Sequence, residues 1–137
     1  MELFNELNIY LQGKNINDDY WYDNALFVCQ DILEEFSIDE WEKLIDDIPK
    51  ENDIWKKRLV ECLGSFHNSY ELRVILKIIN TENKDLFVAC IDSLRCLDLL
   101  KLEDIQKKSI LKNIEELLIS STDPVKKILE EFLKKIN

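Results

Sequence analysis

The 137 residues predict an all-α protein in which eight amphipathic helices pair into about four αα-hairpins that stack as an α-solenoid. Three observations carry this expectation. Apolar residues recur with the 3.6-residue helical period in eight separate segments. The chain holds only two Gly and two Pro, too few for a set of β-hairpins, whose tight turns draw on glycine. The apolar pattern of the even-numbered segments also repeats along the chain. Stacked hairpins, none able to bury its apolar face alone, leave such a trace. Residues 1–137 read as a single helical-repeat domain, long enough to bury about two-thirds of the unfolded surface.

The first helix is expected over 2–12, with Leu3, Leu7 and Tyr10 or Leu11 on one face and Gly13 ending it. The second, over 18–36, places Trp21, Ala25, Val28, Cys29, Ile32, Leu33 and Phe36 on its apolar stripe. Ser37-Ile38-Asp39-Glu40 reads as a capping box that opens the third, hydroxyl and carboxylate each serving an orphan amide. Ile38, Trp41, Leu44, Ile45 and Ile48 form its stripe, and Pro49 stops it. The fourth, over 53–66, presents Trp55, Leu59, Cys62, Leu63 and Phe66. The fifth, over 69–80, presents Leu72, Ile75, Leu76 and Ile79. The sixth, over 84–98, follows a cap at Thr81 or Asn83 and presents Leu86, Cys90, Leu94 and Leu97. The seventh, over 103–119, carries Ile110, Leu111, Ile114, Leu117 and Leu118. The eighth, over 123–136, opens on Asp123 as N-cap with Pro124 at the first helical position.

Cys29-x-x-Ile32-Leu33-x-x-Phe36 aligns with Leu59-x-x-Cys62-Leu63-x-x-Phe66, with Leu129-x-x-Phe132-Leu133-x-x-Ile136 and more loosely with Cys90-x-x-Ser93-Leu94-x-x-Leu97. The anchors Leu33, Leu63, Leu94 and Leu133 are 30, 31 and 39 residues apart. Asp85-Leu86-Phe87-Val88-Ala89-Cys90-Ile91-Asp92-Ser93-Leu94 resembles the second helix of a HEAT repeat. Asp123-Pro124-Val125-Lys126-Lys127 resembles the start of the same helix, and the run from Trp55 to Gly64 fits it loosely. The resemblance implies a HEAT-like α-solenoid; the alternative is an irregular helical bundle.

Charge narrows the function. Asp and Glu number 28 against 18 Lys and Arg, a formal net charge of −10. Residues 1–54 hold 15 acids and 3 bases, whereas residues 55–137 hold 13 acids and 15 bases. Phosphate binding rests on Lys and Arg, and anionic membranes also attract basic segments, so neither nucleic acid nor a membrane is the expected partner. Solubility alone gives no reason for so lopsided a charge. The start Met1-Glu2-Leu3-Phe4-Asn5-Glu6 has no basic or apolar region of a signal peptide, and no apolar run approaches a membrane span. The expected location is cytoplasmic, with Cys29, Cys62, Cys90 and Cys96 as buried reduced thiols.

No enzyme is expected. There is no Gly-rich phosphate loop, no G-x-S-x-G and no C-x-x-C pair. His67 stands alone after the fourth helix and reads as a surface loop residue. Asp18, Asp19 and Asp23 lack the glycine and terminal glutamate of a Ca²⁺ loop. Neither metal nor cofactor is expected.

Binding has better support. Tyr20, Trp21 and Tyr22 are consecutive, so one face cannot hold all three. Trp21 fits the core stripe, as do Trp41 and Trp55, which leaves Tyr20 or Tyr22 outward beside Asp19 and Asp23. Exposed aromatics among charges are the material of interface hot spots; the alternative has both tyrosines packed on the first helix. Asp31, Glu34 and Glu35 on the second helix, and Asp39, Glu42 and Asp46 on the third, fall at i, i+3/i+4 spacing. Like charges at that spacing destabilise a helix by a few tenths of a kcal/mol per pair. A basic partner supplies a reason for them, and a merely solvated face is the alternative. The expected partner-binding residues are Asp19, Tyr20, Tyr22, Asp23, Glu34, Glu35, Asp39, Glu42 and Asp46.

A small acidic helical-repeat chain without catalytic residues, carrying the run Trp55-x-x-x-Leu59-Val60-Glu61-Cys62-Leu63-Gly64, resembles immunity proteins of bacterial polymorphic-toxin and contact-dependent growth inhibition systems. That resemblance implies occlusion of a basic toxin domain, commonly a nuclease, by the acidic aromatic surface. The alternatives are a generic HEAT-like protein-interaction scaffold, and an enzyme or nucleic-acid module using Lys107, Lys108, Lys112, Lys126, Lys127, Lys134 and Lys135, which read as solvated helix faces.

Overall fold

The computed structural model describes residues 2–136, and among them every regular element is helical. Helix α1 spans Glu2–Gln12. Helix α2 runs without a break through Asp18–Tyr20, a π turn at Trp21–Ala25 and Leu26–Glu34. Helix α3 spans Ile38–Asp47 and tightens into a 3-10 turn at Ile48–Lys50. Helices α4 (Asp53–Glu61), α5 (Ser69–Ile78) and α6 (Lys84–Leu94) follow. A 3-10 turn at Leu99–Lys101 leads to α7 (Asp104–Leu118) and α8 (Asp123–Ile136).

Local chemistry explains most boundaries. Ser37 and Glu40 form the expected capping box, each side chain bonded to the other's amide. Asn17, Asn52, Asn68 and Asn83 cap α2, α4, α5 and α6 through their side-chain oxygens. Asn83, not Thr81, is therefore the cap of α6; Thr81 instead accepts from the Asn83 amide. Asp123 lies inside α8, and the Lys126 amide donates to the Thr122 carbonyl, which moves the cap one residue upstream.

Three helices end earlier than the apolar period predicts. Helix α2 stops at Glu34, α4 at Glu61 and α6 at Leu94. After α4 the chain reverses at Gly64, whose φ of +126° lies in the region that favours glycine. A Cβ at Gly64 would sit 3.1 Å from the Cβ of Cys96, so this turn is also pressed against the end of α6. Phe66 consequently sits in a loop, half-buried, rather than on α4. Apolar periodicity continues through the loop because the residues beyond a helix still pack on the same core.

Buried residues from all eight helices form one contiguous core. Helix α4 packs on α6 and α6 on α8, α3 packs on α5, and α7 packs on α8. Helix α1 packs on α2, α3 and α4. Helices α4, α6 and α8 thus pack side by side in a row. At its N-terminal end α1 lies along α4, and α2 reaches α4 through side chains. Trp41 anchors the α3–α5 contact, stacking on Tyr70 at 5.5 Å and meeting Phe36 and Phe66 edge-on. Ile38, expected on the stripe of α3, is exposed.

The α1–α4 contact depends on Arg58, which is only 8% exposed. Its Nη1 donates to the carbonyls of Tyr10 (3.2 Å) and Gly13 (3.1 Å), with the Leu11 carbonyl at 3.4 Å. Its Nη2 donates to the Ile16 carbonyl at 2.8 Å. The guanidinium also lies 5.3 Å from the Trp21 ring centroid. A cation thus serves the orphan carbonyls and negative dipole end of α1.

Cys29, Cys62 and Cys90 are buried, but Cys96 is exposed just beyond α6, a correction to the expectation of four buried thiols. The neighbouring Cys29 thiol and burial push the Cys62 thiol well up, and burial pushes Cys90 up to about 12. Both stay protonated and inert at neutral pH. His67 lies in a loop with φ of +57° and is exposed.

Candidate functional site

The expected binding residues fall into two groups on α2 and α3. Asp19, Tyr20, Tyr22 and Asp23 occupy the first turns of α2, all exposed. Glu34 and Glu35 stand at its other end, about 24 Å from Asp19 at 1.5 Å per residue, next to the turn that leads to Asp39, Glu42 and Asp46 on α3.

The π turn shapes the first group. Its wider helix turn reduces the angle between successive side chains. Neighbouring residues Trp21 and Tyr22 therefore converge on one carboxylate. Trp21 Nε1 donates to Glu61 Oε1 at 3.2 Å, and the Tyr22 hydroxyl donates to Glu61 Oε2 at 2.6 Å. Burial and the Glu61 carboxylate push the Tyr22 hydroxyl up from its ordinary value. Tyr22 is thus tied to α4 at one end while 46% exposed, and Tyr20 is 49% exposed. Lys14 and Lys57 line the cleft of about 500 Å³ beside Tyr22, so this end of the surface carries mixed charge.

Between the two groups lies Phe27, 57% exposed, with Val28 beside it at 38%. Phe27, Asp31 and Glu34 follow at i, i+4 and i+7, one face of the helix. All three are exposed, as are Asp23 and Asn24 one turn earlier. Sequence reasoning passed over Phe27 and assigned Val28 to the core. The signal was present: an aromatic residue standing off the apolar stripe of a helix has no core to enter.

On α3 one expected residue is already occupied. Glu42 receives both guanidinium nitrogens of Arg73 from α5, at 2.7 and 3.2 Å. Arg73 lies 31 residues away, and only packing of α3 on α5 brings it there. Asp47 is likewise engaged by Lys43 and Lys50, and Glu40 by the capping box. Among the described residues no ion pair reaches Asp19, Asp23, Asp31, Glu34, Glu35, Asp39 or Asp46. The acids open to a partner are therefore those exposed on α2, with Asp39 and Asp46 on α3, and Glu42 is withdrawn from them.

The bidentate bond to the Arg73 guanidinium holds the Glu42 carboxyl below the ordinary glutamate range. A carboxyl depressed by folding contributes stability above its unfolded pKa and loses it as pH falls through the folded value. A side-chain carbonyl NMR titration should show Glu42 protonating later on acidification than a free glutamate, and Arg73→Ala should return it to the ordinary range. An unshifted Glu42 in the intact chain would remove this ion pair from the surface.

Among the described residues no three His, Cys, Asp or Glu side chains gather to hold a metal ion, and no helix is long and apolar enough to cross a membrane. No family model matches the chain, and neither the curated proteins nor the solved structures searched for similarity yield a match.

Proposed function

We propose that this protein is an immunity protein that binds a cognate basic toxin domain and covers its active site. We read its helices as a short HEAT-like solenoid acting in the bacterial cytoplasm, with no catalytic role of its own. One observation carries the reading: exposed aromatic rings on α2 stand among Asp and Glu that make no ion pair among the described residues, and α3 adds the open acids Asp39 and Asp46. Carboxylates without local partners steer a basic protein inward and set the encounter rate. Aromatic rings at the centre of the face then exclude water and hold the complex. A nuclease active site, built to accept phosphate, offers the complementary charge.

The test is co-expression with the product of the adjoining gene. Growth should be restored by the native chain and lost when Asp19, Asp23 and Glu35 are together replaced by lysine. A neighbour that is not toxic, or one still neutralised by the triple variant, would overturn the reading. The scaffold alternative predicts no toxicity in the neighbour and no dependence on these acids.

A further inference from the structure

Glu61 holds the first turns of α2 against α4, yet both of its hydrogen-bond donors are neutral. Its Oε1 accepts from Trp21 Nε1 at 3.2 Å, and its Oε2 accepts from the Tyr22 hydroxyl at 2.6 Å. An ionised carboxylate has about four acceptor positions, so about two stay open. Arg58, three residues back on α4, is spent on the carbonyls of Tyr10, Gly13 and Ile16. Among the described residues no ion pair reaches Glu61.

The carboxylate is reachable. Its bond to Tyr22 lies at the exposed surface, and the Tyr22 ring is 46% exposed. Tyr22 and Glu61 together line two clefts, the one of about 500 Å³ described above and a second of about 330 Å³. In the second, Leu26 and Leu63 supply apolar wall. The other charges there, Asp92 and Arg95, are bonded to each other at 2.9 Å. Glu61 is therefore the charge in this cleft without a counter-ion, and it stands beside a half-exposed aromatic ring.

The protein itself shows what such a pair accepts. Between α3 and α5, Arg73 gives both η nitrogens to Glu42 while its guanidinium carbon lies 5.6 Å from the Tyr70 ring centroid. One planar cation serves a carboxylate and a tyrosine ring together. At α2 and α4 the same two groups stand 2.6 Å apart, and no arginine of the chain bridges them.

We propose that this cleft receives an arginine side chain of the partner protein, its guanidinium donating to Glu61 and stacking on the Tyr22 ring, its stem against Leu26 and Leu63. The site rests on the proposed function only for the source of that arginine. A lysine ammonium would reach the carboxylate but has no plane to stack.

Trp21 supplies the readout, because its indole N–H is bonded to Glu61 itself, whereas that of Trp55 is bonded to Asn8. The isotope-labelled full chain is titrated by NMR with N-acetyl-argininamide to tens of millimolar, and at equal ionic strength with the uncharged citrulline counterpart. The Trp21 indole signal should move saturably with the first and stay still with the second. The Trp55 signal should stay still with both. The lysine counterpart should bind at least about threefold more weakly than the arginine one, and Tyr22→Leu should erase that preference. Glu61→Gln should abolish the Trp21 response, with the Trp55 signal at its native position showing that the variant folds. A Trp21 signal that ignores arginine would overturn the proposal, as would one that follows citrulline equally, equal binding of lysine, or arginine binding retained in Glu61→Gln. These titrations need no toxin. A neighbouring gene without toxicity therefore leaves their result standing, and a silent Trp21 leaves the immunity reading standing.

Discussion

Arg58→Ala should destabilise the protein by about 3 kcal/mol or more, because it leaves buried carbonyls without donors. The lost bonds are those to Tyr10, Gly13 and Ile16, which close the end of α1 and the loop after it. The loss should also free the Trp21 ring face that the guanidinium covers. Urea denaturation should show the midpoint falling with little change in slope, and the melting temperature should drop by roughly 10 °C for a chain of this size. Arg58→Lys keeps the charge at the helix end but has one nitrogen where the native residue has a planar fork. It should therefore fall between the two. An alanine variant within about 0.5 kcal/mol of the native chain would show that solvent replaces the guanidinium without cost, and that the α1–α4 contact has another basis.

Phe27→Ala should weaken binding of the proposed toxin domain by about 2 kcal/mol, close to thirtyfold in affinity, while stability stays within about 0.5 kcal/mol. The asymmetry follows from its position. With 57% of its surface exposed, the ring has little to lose within the folded chain. At the middle of the α2 face, between Asp23 and Asp31, it is placed to be fully covered by a partner. Truncating the ring should raise the off-rate, whereas Asp31→Asn at the flank should slow association and flatten its salt dependence. Surface plasmon resonance at two salt concentrations separates these outcomes. If Phe27→Ala binds like the native chain while the flanking acids matter, charge alone holds the complex and the aromatic centre plays no part.

What could be read before folding, and what could not, divides along interaction range. The eight helices, the Ser37–Glu40 capping box and the stop near Pro49 depend on residues a few positions apart. Helical period and capping chemistry therefore determined them from the sequence alone. The early ends of α2, α4 and α6 escaped that logic, since loop residues such as Phe66 pack on the core in the same apolar rhythm. The acidic bias of residues 1–54 was likewise legible, and it pointed to α2 and α3.

Which of those acids stand open was not legible. Glu42 looked equal to Asp39 and Asp46 until α5 brought Arg73 across 31 residues of chain to bind it. Tyr22 looked as free as Tyr20 until α4 placed Glu61 at its hydroxyl. No motif in the sequence singles out Arg58, yet it sits over the end of α1, more than 40 residues back in the chain. Phe27 stood off the apolar stripe of its helix, but that the core closes without it is decided by the packing. Local backbone preference is decided by near neighbours, so sequence alone set the helices and their caps. Pairing, burial and exposure of a side chain depend on which distant helix packs beside it, and only the tertiary structure decided those.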